Sequence, residues 1–201
     1  MQPFERITGV AAPLVEDDIN TDQIAPVTQA FAPDYAQLLF ARRREDAAFV
    51  LNHEPYRQAR ILVAGANFGC GSSRESAVWA LLAFGIRAVV ARSFADIFRE
   101  NCLKNGLLPI VLAPADAAAF EATVLADAAA VWTVDLVDQR IAGPAAFGFE
   151  IAAAERDALL RGLDDIGFTL EELPAIVEWE THNRRERPWL QEIPTMQVET
   201  R

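Results

Sequence analysis

The stretch RILVAGANFGCGSSRESAVWALLAFGIRAVVAR, residues 60–92, constrains the fold more than any other part of the chain. It opens with an apolar run, Ile61 to Ala64, that reads as a strand. Gly65, Gly69 and Gly71 then make a glycine-rich loop. Ser72-Ser73-Arg74-Glu75 opens a helix with an apolar face through Ala77, Leu81 and Phe84, and Gly85 ends it. Arg87 to Ala91 reads as a second strand. Strand, loop, helix and strand within about thirty residues make a βαβ unit. Its loop leaves backbone N–H groups free at a helix N-terminus, where an anion can sit.

Three common glycine loops are excluded. A dinucleotide fingerprint starting at Gly69 needs glycine or alanine at position 74, which is Arg74. A Walker loop needs a lysine, and this loop has none. The hydrolase elbow G-x-S-x-G fails at Arg74 again. What remains is Gly-Cys-Gly-Ser-Ser-Arg-Glu, and it supports two readings. In one, Ser72 and Glu75 form a capping box and Arg74 pairs with a nearby acid. In the other, the glycines let a ligand approach the backbone. A cation in a first helical turn opposes the dipole by about 0.3–1 kcal/mol, which makes sense where it shares a bound carboxylate. A serine hydroxyl beside that positive cluster would have its alkoxide form stabilised and would be a candidate base.

The charge balance narrows the partners. The chain has a net charge of −11, and Lys104 is its single lysine. No basic stripe exists to hold nucleic acid. So acidic a surface repels small carboxylates, and a site for an organic acid needs local arginines. Cys70 and Cys102 are too few for a four-ligand zinc or iron–sulfur site, and they make no secreted disulfide framework. Cys102 reads as core and Cys70 as a small loop residue. No metal site is expected, and His53 and His182 receive no role. No stretch reaches membrane-spanning length, and the N-terminus does not read as a signal peptide. A soluble, cytoplasmic protein is expected, with no membrane or nucleic-acid partner.

Elsewhere the chain alternates strands and helices. Ile7 to Val15 reads as a strand, followed by the acidic, turn-rich segment Asp17 to Gln23, which reads as a solvated loop or, alternatively, as one in which Asp22 and Thr21 face a site. Pro26 to Pro55 reads as part helix, part loop, and its Arg42-Arg43-Arg44 as a solvated face or as facing a carboxylate substrate or an acidic partner. Ser93 is placed as the cap of a helix ended by Asn105-Gly106. Leu107 to Leu112 is a strand, Pro114 to Ala130 a helix, and Val131 to Ile151 a hairpin with a further strand. Ala152 to Leu160 is a short helix and Gly162 to Gly167 a turn. Thr169 and Glu172 read as a capping box for a last helix, with Pro174 in its first turn. The apolar residues Trp189, Leu190, Ile193 and Met196 suggest a docking tail.

The string Asn67-Phe68-Gly69-Cys70-Gly71-Ser72-Ser73-Arg74-Glu75 resembles the signature of the small subunit of 3-isopropylmalate dehydratase, the swivel-domain chain of the aconitase superfamily. Thr21-Asp22-Gln23-Ile24, Ser93 to Phe98, Asn105 to Pro109 and Gly162 to Gly167 match further stretches in the same order. The resemblance implies an α/β fold of the β/β/α swivel type, with a barrel-like mixed sheet and a C-terminal helical extension. It implies a swivel domain over residues 1–165, and a helix and tail over 166–201 that pack on that domain or on a partner. It implies a large-subunit partner carrying a [4Fe-4S] cluster, and a dicarboxylic hydroxy acid as substrate. The implied reaction is a hydro-lyase isomerisation of 2- and 3-isopropylmalate in leucine biosynthesis. By residue matching, Ser72 is the base, Arg74 holds a substrate carboxylate with the Ser73 backbone N–H assisting, and Asp22 supports the acid–base network; Thr21, beside Asp22, is expected to bind substrate.

Two departures bear on substrate choice. Ser76 stands where the family usually has histidine. Between Pro26 and Pro55 the usual Gly-Phe-Gly run is replaced by Leu38-Leu39-Phe40-Ala41-Arg42-Arg43-Arg44. A related acid of the methylmalate or dimethylmalate type is therefore an alternative substrate, and a non-catalytic carboxylate-binding module is an alternative role.

Overall fold

Seven strands form one mixed sheet, in the order β4-β3-β2-β1-β5-β6-β7, in a computed structural model that describes residues 1–26 and 34–190. The chain divides into two compact units, Met1–Leu163 and Asp164–Arg201. The sheet belongs to the first.

β1 (Arg6–Leu14), β2 (Ile61–Ala64), β3 (Ala88–Ala91) and β4 (Leu108–Val111) run parallel. On the other side of β1 the pairing turns antiparallel, through β5 (Val131–Asp135), β6 (Arg140–Ala142) and β7 (Ala146–Gly148). β1 is thus the hinge of the sheet: its end Ala11–Leu14 pairs with β2, and Arg6–Val10 pairs with β5. The expected βαβ unit is present. α3 (Glu75–Phe84) connects β2 to β3, and α4 (Asp96–Asn105) connects β3 to β4. The glycines expected to stop them, Gly85 and Gly106, are their C-caps.

The parallel strands read as unbroken apolar runs because both of their faces are covered. Leu62, Ala64, Val89 and Ala91 face one core with Phe68, Leu81 and Phe98. Ile61, Val63, Ala88 and Val90 face a second core with Phe120, Trp132 and Phe147. In that second core α5 (Pro114–Ala126) lays Phe120 edge-on against Trp132, with ring centroids 4.7 Å apart. Full burial of Phe120 contributes about 1.5–3 kcal/mol. Bidentate hydrogen bonds of 2.8 and 2.7 Å from Arg99 of α4 to Glu155 of α6 (Ala153–Arg161) tie the two helices.

Several helix starts differ from expectation. Ser93 does not cap α4. Ala95 is its N-cap, and the Ser93 hydroxyl accepts from the Asn67 N–H at 2.8 Å. The segment expected as a turn up to Gly167 enters α7 (Asp165–Glu171) already at Asp165, because the Asp164 carboxylate accepts from Gly167 N–H at 2.8 Å. Thr169 lies inside α7 and donates to Asp165 O at 2.9 Å, so it caps nothing. α8 (Leu173–Glu186) starts after Glu172, with Pro174 in its first turn as expected. Between Asp34 and Pro55 the chain forms the one-turn α2 (Tyr35–Leu38) and short 3₁₀ turns. The arginine run there is mostly structural. Arg43 stacks on Phe49 and pairs with Glu16 at 2.6 Å, Arg44 lies over Phe84, and Arg42 is exposed. Ile193 and Met196 lie outside the described residues.

Candidate active site

Three loops leave the carboxyl ends of β1, β2 and β3 and meet, because parallel strands deliver their ends to one edge of the sheet. The loop after β1 lies alongside the glycine loop after β2 and is zipped to it by backbone. Gly65 N–H donates to Glu16 O at 3.0 Å, Asp18 N–H to Ala66 O at 2.9 Å, Gly69 N–H to Ile19 O at 2.8 Å and Thr21 N–H to Cys70 O at 2.9 Å. The acids expected as a solvated run reinforce this seam. Asp17 accepts from Ala66 N–H and Asp18 from the Asn67 side chain, both at 2.7 Å. A capping box between Asn20 and Gln23 then starts α1 (Thr21–Ile24).

The glycines meet steric demands in this seam. Gly69 has φ +80°, and a Cβ there would fall 2.1 Å from Cγ of Phe98. Gly71 has φ +89°, a left-handed geometry that an L side chain adopts only with strain. The loop after β3 closes the arrangement: Phe68 N–H donates to Ser93 O and Ala95 N–H to Phe68 O, both at 3.0 Å. The first turn of α4 is thereby held beside the glycine loop.

A cleft of about 220 Å³ opens where the three loops converge. Thr21, Ser72, Ser73 and Arg74 supply one wall, and Ala95, Ile97 and Phe98 the other. Ser72 does not cap α3. That helix begins at Glu75 with Arg74 as N-cap in an extended conformation and with no side-chain cap. The hydroxyls of Ser72 and Ser73 make no hydrogen bond among the described residues, and both serines are exposed. Thr21 is buried and its hydroxyl donates to Ser72 O at 2.8 Å, so it positions the serine's backbone. Arg74 does not stand uncompensated at the helix start: its Nη1 donates to Oδ1 of Asp22. Asp22 itself is not among the residues lining the cleft and reaches it through Arg74. Both helices that start at the cleft carry an acid in the first turn, Glu75 and Asp96, which suits the dipole.

Sequence reasoning gave no role to Ala95, Asp96 and Ile97. The signal was present in the Ser93 to Phe98 string, but nothing local showed that this helix start reaches the glycine loop. Cys70 contacts Asp18 O through Sγ at 3.4 Å and does not line the cleft. Cys102 is fully buried in α4, and burial pushes its thiol up, which keeps it neutral.

Residues 28–115 match the aconitase C-terminal domain family. The chain is 48% identical over 200 residues to the 3-isopropylmalate dehydratase small subunit of Allorhizobium ampelinum, covering 94% of this chain and 100% of that protein. It is 49% identical, with the same coverage, to the 3-isopropylmalate dehydratase small subunit of Sinorhizobium fredii. A crystal structure of 3-isopropylmalate dehydratase from Methanocaldococcus jannaschii superposes with a TM-score of 0.64 at 30% identity, covering 87% of this chain and 99% of that one. The mixed sheet with its βαβ units is the swivel-type fold of those relatives. With relatives this similar over their full length, the chain belongs to the family of 3-isopropylmalate dehydratase small subunits.

Proposed function

We propose that this chain is the small subunit of a two-chain hydro-lyase that interconverts 2- and 3-isopropylmalate by dehydration and rehydration, in leucine biosynthesis. The observation that carries the reading is the Ser72 hydroxyl: exposed in the cleft, without a partner among the described residues, and two positions from a guanidinium. It is supported by full-length relatives that bear the dehydratase name.

In this reading Ser72 Oγ takes the proton from the carbon next to a substrate carboxylate. Loss of the hydroxyl from the neighbouring carbon completes the elimination, and the reverse addition at the other carbon gives the isomer. Arg74 grips a carboxylate. Asp22 occupies Nη1, which leaves Nε and Nη2 of the same planar fork to face the acid. The Ser73 backbone N–H adds a donor at the same place. Thr21 holds the Ser72 carbonyl and so fixes the backbone from which the hydroxyl projects. The Arg74 guanidinium and the backbone N–H groups of the glycine loop are the groups that would stabilise the alkoxide form of Ser72 as the proton is taken.

The residues of this chain do not fit an iron–sulfur cluster. Such a cluster takes about four thiolates, and the sequence has two cysteines, one of them sealed in the core. Among the described residues no three His, Cys, Asp or Glu side chains gather to hold a metal ion. A [4Fe-4S] cluster belongs, in this reading, to the large subunit. Where the complex resides in the cell is taken as the cytoplasm, in keeping with a biosynthetic enzyme. Among the described residues no helix is long and apolar enough to cross a membrane.

The test is reconstitution with the large subunit and assay on 2-isopropylmalate. Turnover should require both chains, and turnover by this chain alone contradicts the split site.

A further inference from the structure

No residue from 164 to 190 is buried, although this stretch carries Ile166, Leu170, Leu173, Val177, Trp179 and Trp189. Trp179 is 63% exposed and Trp189 67%. Single exposed apolar residues are ordinary, but a sustained set of large ones marks an interaction surface. On α8 the exposed Leu173 and Val177 stand one turn apart, at i and i+4, with the half-buried Ile176 beside them at i+3. α8 is 14 residues long and α7 is 7. Isolated helices below about 12–15 residues are marginal in water, and most helical stability comes from packing an apolar face. This stretch buries no side chain of its own to supply that packing.

We infer that residues 164–190 are a docking arm that takes its stable fold on the large subunit, in an apolar groove with a basic rim. The inference rests on the two-chain reading above. Charge selects this occupant. Residues 164–190 carry seven acids against three arginines, Arg184, Arg185 and Arg187, and the arginines are confined to its last seven positions. A second copy of this chain would bring the same acidic stretch on a body of net charge −11, and like charge opposes that pairing. A groove edged by arginine or lysine complements the acids while its floor covers Leu173 and Val177.

Hydrogen exchange on the full chain, alone and with the large subunit, tests this. Amides of residues 165–186 should exchange fast in the free chain and slow by about tenfold or more in the complex. Val177→Glu and Trp179→Glu should each weaken the complex about tenfold or more. Both side chains are exposed, so thermal unfolding of the free variants should match the parent. An active pair in which 165–186 exchange as they do in the free chain, or in which both variants bind like the parent, overturns the inference and leaves the function intact. So does a dimer of the chain alone that either variant dissociates. A pair that forms through this arm yet leaves 2-isopropylmalate untouched overturns the proposed function instead and upholds the docking.

Discussion

Arg74 and Asp22 meet across two loops that are far apart in sequence, with Nη1 of the guanidinium on Oδ1 of the carboxylate. Arg74 sits at the start of α3 and Asp22 in the first turn of α1, so the pair pins two helix starts at one cleft. Asp22 is half-exposed, so the pair adds little stability, about 0–1 kcal/mol. Its value lies in aiming the guanidinium. Asp22→Asn should leave chemical denaturation of the chain nearly unchanged and lower kcat/KM of the reconstituted enzyme by about 10- to 100-fold. Steady-state kinetics beside a urea titration separate the two effects.

Gly69 and Phe98 occupy the same space in alternative sequences. A methyl at position 69 meets the Phe98 ring at 2.1 Å, and the backbone there is left-handed. Phe98 cannot retreat, because it packs edge-on against Phe68 with centroids 5.4 Å apart. Gly69→Ala should therefore cost about 1–3 kcal/mol from crowding alone, read as a lower urea midpoint at constant slope. Activity should fall as well, since the displaced turn carries Ser72.

The link between α4 and α6 should make stability depend on pH. The Arg99 guanidinium holds the Glu155 carboxyl below its ordinary value. A carboxyl with a lowered native value contributes stability above its unfolded value, about 4.3, and loses it as pH falls through the native one. Melting temperature should drop as the pH is taken below about 4.3. Glu155→Gln should reduce the steepness of that drop, which thermal melts across a pH series will show.

The sequence disclosed what is local and periodic. The apolar runs of β2 and β3 and the glycine stops at Gly85 and Gly106 were legible because each depends on its own few residues. Caps were legible only where nothing longer-ranged competed. Ser72 and Ser93 have the right chemistry to cap, yet tertiary contacts place the helix starts after Arg74 and Ala95. The seam between residues 16–21 and 65–70 left no mark, since it is built from backbone groups that every residue carries. That is why Asp17 and Asp18 read as solvated acids, and why Ile97 was not placed at the cleft. Arg43 and Arg44 misled for a related reason: their aromatic partners Phe49 and Phe84 lie outside the run itself.

Ser72→Ala is the most direct measurement. The hydroxyl caps no helix and bonds to nothing among the described residues, so its removal should leave stability within about 0.5 kcal/mol of the parent. If it is the base, turnover of 2-isopropylmalate by the reconstituted enzyme should fall by about 10²- to 10⁴-fold with the complex still formed. Normal turnover by the alanine variant, assembled with the large subunit, would contradict the account.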